Sequence, residues 1–166
     1  VSLNFNHPCK ELVWVCQDST YSKQPFNYTN TTLTTSAAAA GGNMLGAVGM
    51  NSLTTPTTGD ASAKNLVKNA KLQLNGHDRF SQRDGSYFNL VQPYQHHTNV
   101  PCLGVNVYSF GLKPEEHQPS GTCNMSRIDN ATLVLEMQNS TNAKNIRVYA
   151  TNYNVLRIMS GMGGLA

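Results

Sequence analysis

The chain has 166 residues, 39% of them hydrophobic and only 13% charged, with a formal net charge of +3. That length suits one domain with a real core. The small, scattered positive charge gives no footprint for nucleic acid, and no run of about 18 apolar residues offers a transmembrane helix. Asn, Thr, Ser and Gly replace the missing charges, a composition that favours strands and hydrogen-bonded turns over surface helices. The first residue is Val1, not Met, and no signal peptide is visible, so a processed chain or a fragment of a longer one is expected.

In chain order, residues 1–6 alternate: Val1, Leu3 and Phe5 share one face and Ser2, Asn4 and Asn6 the other. Pro8 is expected to close this short strand, because it cannot donate to a ladder. Residues 10–17, KELVWVCQ, carry Leu12, Trp14 and Cys16 on one face and Val13 and Val15 on the opposite one. That pattern predicts a strand covered on both faces.

Residues 18–63 are rich in Thr, Asn, Ser, Ala and Gly and lack periodicity. They are expected to form a long loop, with a helical turn at Ala37 to Ala40 stopped by Gly41 and Gly42. Its apolar neighbourhood, Met44, Leu45, Val48, Met50 and Leu53, needs a partner. Order returns over 64–76, where Leu72 and Leu74 point inward, and 78–86 is a turn region. Tyr87, Leu90, Val91 and Tyr94 stand near helical spacing; with Pro93 in the run, one short helix ending near Gln92 is predicted.

Two strand-like runs, 105–110 and 131–137, frame the most informative stretch. Ala131, Leu133, Leu135 and Met137 point one way, Thr132, Val134 and Glu136 the other. Pro114, Pro119, Gly121, Asp129 and Asn130 break the link between them. A last strand over 145–159, with Ile146, Val148 and Ala150 inward, is expected to lie mid-sheet, followed by the flexible tail SGMGGLA. Six to eight strands joined by turns predict an all-β, antiparallel β-sandwich, the jelly roll being the commonest eight-stranded form, with at most one short helix.

No arrangement of residues here predicts catalysis or a cofactor. His96 and His97 would face opposite ways on a strand, and His7, His77 and His117 are remote; none forms a metal motif. Glu115 and Glu116 are adjacent on a Pro-flanked loop, where contact with a neighbouring loop is expected rather than the opposed carboxylates of a glycosidase. Arg127 and Asp129, two apart on a strand, would share a face and pair. G-x-S-x-G does not occur, Ser120-Gly121 is a turn, and Cys102 and Cys123 have no evident His partner. Cys9, Cys16, Cys102 and Cys123 form no C-x-x-C; two disulfides are arithmetically possible, and reduced thiols are expected. Asn-x-Ser/Thr sequons begin at Asn27, Asn30, Asn124, Asn130 and Asn139. Asn27 and Asn30, in the long loop, are the best acceptors among them.

Several stretches together resemble one family. LVWVCQ at 12–17, LQLNGHDRF at 72–80, YFNLVQPYQHH at 87–97, YSFGLKPEEHQPSGTCNMSRIDNATL at 108–133 and YNVLRIMSGMGGLA at 153–166 look like the major capsid proteins of nucleocytoplasmic large DNA viruses. The motifs run in matching order and cover most of the chain outside residues 18–63. The resemblance implies a double jelly roll of which residues 1–166 are the single C-terminal jelly-roll domain, the N-terminal roll being absent. It also implies a structural virion protein, with three copies making a pseudo-hexagonal capsomer of an icosahedral shell assembled in the host cytoplasm. Implied partners are the other copies of the homotrimer, neighbouring capsomers and the N-terminal jelly roll of the same protein, with contact to minor capsid proteins left open. Neither nucleic acid nor a membrane span is implied. An alternative from another class is a carbohydrate- or receptor-binding jelly roll, whose aromatic cluster would be Tyr21, Phe26 and Tyr28. An enzyme on the same fold comes third.

Overall fold

In the computed structural model, residues 1–19, 26–30, 64–138 and 142–165 are described. The other residues lie outside them, and with them the expectations of a long loop, of a helical turn at Ala37 to Ala40 and of an apolar neighbourhood from Met44 to Leu53. Strand β1 is Ser2–Leu3, β2 Pro8–Asp18, β3 Val67–Leu74, β4 His77–Asp78 and β5 Arg83–Asp84. A helical segment, α1, winds as a π-helix over Tyr87–Val91 and as an α-helix over Gln92–His96. Then come β6 (Val105–Ser109), β7 (Cys123–Asn124), a 3₁₀ turn at Met125–Arg127, β8 (Ala131–Met137), β9 (Lys144–Asn152), β10 (Leu156–Met159) and β11 (Met162–Leu165).

Two antiparallel sheets enclose one core, as the jelly-roll expectation requires. In the first, β1 and β3 flank β8, and β4 and β5 both pair the far side of β3. In the second, β2 is central: β9 lies on one side, and β6 and β7 follow one another along the other. The period-two pattern decides which side chains meet. Leu12, Trp14 and Cys16 of β2 are at most 1% exposed and meet Leu72 of β3 and Leu133 of β8, which are equally buried. Val15 is buried and Val13 half-buried, so both faces of β2 are covered. Aromatic rings fill the middle: Phe88 lies 5.2 Å from Trp14 and 5.4 Å from Phe80, and Phe80 lies 4.7 Å from Tyr108. Tilted ring pairs at these spacings add to plain burial.

Several expectations need correction. Pro8 does not end the first strand; it opens β2, after a turn in which His7 takes a φ of 70°. A strand's first residue tolerates Pro because no ladder donor is required there. The helix does not stop at Gln92 but runs through Pro93. The wide turn pairs the Gln92 N–H with the Tyr87 carbonyl, and Pro93 falls at the start of the α-helical turn, where a missing N–H costs nothing. The helix also shows the opposite face from the one its apolar spacing suggests. Phe88, Asn89, Gln92 and Pro93 are buried, while Leu90, Val91 and Tyr94 are exposed. The reason is hydrogen bonding along β6: Asn89 Nδ2 donates to the Val105 carbonyl at 2.7 Å, and Gln92 Oε1 accepts from the Ser109 N–H at 3.1 Å. Two amide side chains thus take the place of a neighbouring strand.

The last run is not one strand. β9 ends at Asn152 and, among the described residues, pairs only with β2, so it lies at a sheet edge rather than mid-sheet. The tail is not without structure either: β10 and β11 form a hairpin. Its turn is Ser160-Gly161, both at positive φ (50° and 80°), the pairing that a two-residue hairpin loop needs.

Candidate interaction surface

Two hydrogen-bonded clusters fix the chain's loops. The first is buried. Asn65 Nδ2 donates to Asn106 Oδ1 at 2.5 Å, and Asn106 Nδ2 donates to the Gly104 carbonyl at 3.1 Å and, more weakly, to the Trp14 carbonyl at 3.5 Å. Asn65 also reaches the Gly85 carbonyl at 3.4 Å and accepts from the Val67 N–H at 3.0 Å. One pair of amides therefore ties β2, β6, the approach to β3 and the start of the helical segment. Gly85 packs so closely there that an added Cβ would strike the Val67 carbonyl.

The second cluster is nearer the surface. His97 sits between two carboxylates, with Nε2 3.0 Å from Glu11 Oε2 and Nδ1 3.2 Å from Glu115 Oε1. The Glu11 contact is close but not aligned as a hydrogen bond, so it is purely electrostatic and counts only while His97 is protonated. Glu115 also accepts from the Thr98 N–H and hydroxyl, and Glu11 accepts from the Thr151 hydroxyl. The Thr98 backbone donor, followed by the His97 and Thr98 side chains, holds the Glu115 carboxyl below its usual range. This is the loop-to-loop contact expected of the 115–116 pair. Glu116 for its part takes Lys113 at 3.1 Å.

The remaining sequence candidates disperse. His96 Nδ1 meets the Leu112 carbonyl at 2.9 Å. Arg127 ends a 3₁₀ turn instead of lying on a strand, so two-residue spacing does not place it beside Asp129, and no ion pair joins them. No disulfide joins Cys9, Cys16 or Cys123, although Cys9 and Cys123 are register partners across β2 and β7. Burial pushes the Cys9 and Cys16 thiols up to about 12. Among the described residues no group of three or more His, Cys, Asp or Glu could hold a metal ion, and no helix is long and apolar enough to cross a membrane.

Asn27 is corrected as a glycan acceptor: its side chain is fully buried, and its Oδ1 accepts from the Thr29 N–H and hydroxyl. Asn30 Oδ1 accepts from the Lys64 N–H, and Asn139 lies outside the described residues. Of the aromatic cluster expected for sugar binding, Phe26 is exposed and Tyr28 is half-buried with its backbone against Gly104, while Tyr21 lies outside the described residues.

What the structure does present is apolar surface. In the β10–β11 hairpin every residue is exposed, including Ile158 at 69%, Met162 at 76% and Leu165 at 74%. Register puts Leu156 opposite Leu165 and Ile158 opposite Gly163, so these share one face of the ribbon. A two-stranded ribbon with no buried side chain is marginal by itself. Further exposed apolar side chains, Leu90, Val91 and Tyr94, stand on the outer face of α1, and Leu112, whose carbonyl meets His96, is exposed as well. Sequence reasoning missed the hairpin because the apolar run at 155–159 passes for a continuing strand. The Ser160-Gly161 dipeptide was the available turn signal.

Comparison with known proteins agrees with this picture of a packing module. The sequence profile of the large eukaryotic DNA virus major capsid protein matches residues 1–164. Major capsid proteins of Phaeocystis pouchetii virus and of Paramecium bursaria Chlorella virus 1 are each 44% identical to this chain over its whole length, which corresponds to 44% and 42% of theirs. Among solved structures, a crystal structure of PBCV-1 VP54, fitted into a cryo-EM reconstruction of the virophage Sputnik, superposes with a TM-score of 0.72 at 41% identity, over all of this chain and 45% of that one. The Faustovirus major capsid protein shares the fold at 13% identity with a TM-score of 0.56. The chain thus spans less than half the length of the curated relatives it matches. With its jelly-roll sheets, and with that profile matched from end to end, the chain belongs to the major capsid protein family of large eukaryotic DNA viruses.

Proposed function

We propose that this chain is the C-terminal jelly roll of a major capsid protein and that its work is assembly: it supplies lateral surface which, repeated by symmetry, closes an icosahedral shell. Three copies of the complete protein make a pseudo-hexagonal capsomer, each roll packing beside the N-terminal roll of its own chain, and capsomers then meet edge to edge in virions assembled in the host cytoplasm. The role is structural rather than enzymatic, in keeping with relatives that carry capsid names. The observation that carries the reading is the exposed apolar hairpin Leu156–Leu165 on a family member that otherwise buries its core well. Interfaces between obligate partners are apolar like a domain core cut in half, and closed symmetry repeats one such contact many times.

The test is light scattering on the complete protein across a concentration series, with and without the paired substitutions Ile158→Asp and Leu165→Asp. The expected result is a trimer for the native protein. The double variant should give smaller species or trimers that fail to join, with unchanged circular dichroism. A native protein that stays monomeric at every concentration and never forms shells under the electron microscope would overturn the reading.

A further inference from the structure

His97 stands where four parts of the chain meet. It caps the C-terminal end of α1. Its ring lies between Glu11 on β2 and Glu115 on the loop 111–121, and Glu11 also takes the Thr151 hydroxyl of β9 at 3.1 Å. The ring and the Glu11 carboxylate are withdrawn from solvent, at 15% and 13% exposure, whereas Glu115 is 43% exposed. The atoms that face each other across the inner contact, His97 Nε2 and Glu11 Oε2, are both buried and make no hydrogen bond.

His97 is the cation for both carboxylates. Among the described residues neither Glu11 nor Glu115 forms an ion pair with a Lys or Arg. The lysines on the same elements are engaged elsewhere: Lys113 meets Glu116 Oε1 at 3.1 Å, while Lys10 reaches the Glu116 carbonyl at 3.4 Å and lies over the Tyr153 ring. His96, next along α1, turns its Nδ1 to the Leu112 carbonyl at 2.9 Å. The charge on one imidazole therefore decides the balance. As imidazolium, His97 sets a positive charge between two negative ones and carries an N–H on each side. A neutral ring keeps one N–H. With the proton on Nδ1, Glu115 retains its donor and a lone pair faces the buried Glu11 oxygen at 3.0 Å. With the proton on Nε2, the lone pair faces Glu115 instead. Either tautomer turns an acceptor toward a carboxylate, and Glu11 becomes a largely buried charge without its counter-ion.

We propose that His97 is a proton-operated latch that holds the loop 111–121 against β2 and α1 while its ring is charged and slackens the loop when the proton leaves. The other ties from this loop are the His96 contact, the Thr98 donors to Glu115, and two long bonds, from Lys10 to the carbonyl of Glu116 at 3.4 Å and from the Tyr153 hydroxyl to that of His117 at 3.3 Å. Thr98 keeps Glu115 tethered in either state, so the change is a loosening and not a detachment. The latch is closed within a window of pH. Its stabilising contribution is full while His97 is protonated and is lost as pH rises through the point at which the folded ring titrates. At the acid end it is lost when Glu115 takes up a proton, which happens below the usual carboxylate range because the Thr98 backbone donor, then the His97 and Thr98 side chains, bond the charged form. The loop carries the exposed Leu112 beside the charged Lys113, Glu115 and Glu116, so the latch sets how firmly this piece of surface is presented. The inference concerns the loop's mobility and stands apart from the assembly reading.

The test is hydrogen–deuterium exchange by mass spectrometry on the complete protein from about pH 5 to pH 8, the range in which imidazoles change charge. Amide rates are corrected for their intrinsic pH dependence, and the slow exchange of each histidine's ring C–H reports that ring's own titration. Expected is a fall of about tenfold in protection over residues 112–118 across this range, its midpoint following the His97 ring and not that of His96. Glu11→Gln, which removes the counter-charge and keeps the shape, should move the His97 midpoint and the loop transition together to lower pH. His97→Gln should leave the loop at its slackened level throughout. Protection that stays flat with pH, that follows His96, or that keeps its pH dependence in His97→Gln would overturn the proposal. An unmoved His97 midpoint in Glu11→Gln would overturn it as well, because the ring would then feel no counter-charge from β2.

Discussion

Replacing Asn106 with Ala tests whether the buried amide pair or the hydrophobic contacts around it hold the two sheets in register. Asn106 is fully buried and makes two well-formed bonds, from Asn65 at 2.5 Å and to the Gly104 carbonyl at 3.1 Å, with a marginal third to the Trp14 carbonyl. Truncation strands the Asn65 amide with only a long contact to Gly85 and leaves the Gly104 carbonyl without its partner. At about 1–3 kcal/mol for each of the two buried polar groups left unsatisfied, the expected loss is roughly 2–6 kcal/mol. By contrast, Glu136→Ala removes an exposed carboxylate that meets Lys68, Asn69 and Gln82 and should cost far less, because solvent screens those contacts. The chain's single tryptophan, Trp14, is completely buried and reports unfolding directly. Urea curves for the native chain, Asn106→Ala, Asn65→Ala and the double variant give the coupling between the two amides, expected at about 1 kcal/mol or more. A loss below about 1 kcal/mol for Asn106→Ala, or strict additivity in the cycle, would refute the account of the amide pair as a tie between sheets.

Gly85→Ala should destabilise by about 1–3 kcal/mol, since the new Cβ meets the Val67 backbone rather than a side chain that can move; the same urea assay measures it. Thiol alkylation at pH 8 should modify exposed Cys102 first and Cys9 and Cys16 last, because burial holds those two near 12; peptide mass spectrometry at timed intervals gives the order. The Glu115 carboxyl titrates lower folded than unfolded, so its stabilising contribution is present above the ordinary carboxylate range and fades as pH falls through the depressed folded value. Glu115→Gln should therefore flatten the acid side of the stability profile, as read from urea midpoints at stepped pH.

What was legible in the sequence was whatever period two controls. The inward sets of β2 and β8 follow directly from KELVWVCQ and ATLVLEM, because one residue of slip would turn a whole strand over. Less legible was what each strand lies beside. The run from 145 onward is equally apolar in β9 and in the hairpin, and nothing in its pattern distinguishes a covered edge from an open one. The helix misled for a different reason. Its apolar residues do repeat at helical spacing, but Asn89 and Gln92 are drawn inward by bonds to β6, a demand set by the sheet and invisible in the helix's own sequence. As for the surface, no motif marked the hairpin as a contact, because an interface made of ordinary aliphatic side chains has no chemical signature until its exposure is known.

The two margins of the second sheet are unlike, and that asymmetry limits how copies of this chain can misassociate. The margin at β6 is stoppered by side-chain amides that leave no ladder for a newcomer, while the margin at β9 has no further strand beside it among the described residues. Continuous edge-to-edge growth requires two bare margins per copy, one to join and one to extend. Through this sheet, a molecule bare on one side only can at most meet its like, margin to margin, and the pair then presents two stoppered ends. Copies that meet through this sheet are thereby steered toward a self-limiting pair and away from an open-ended fibre.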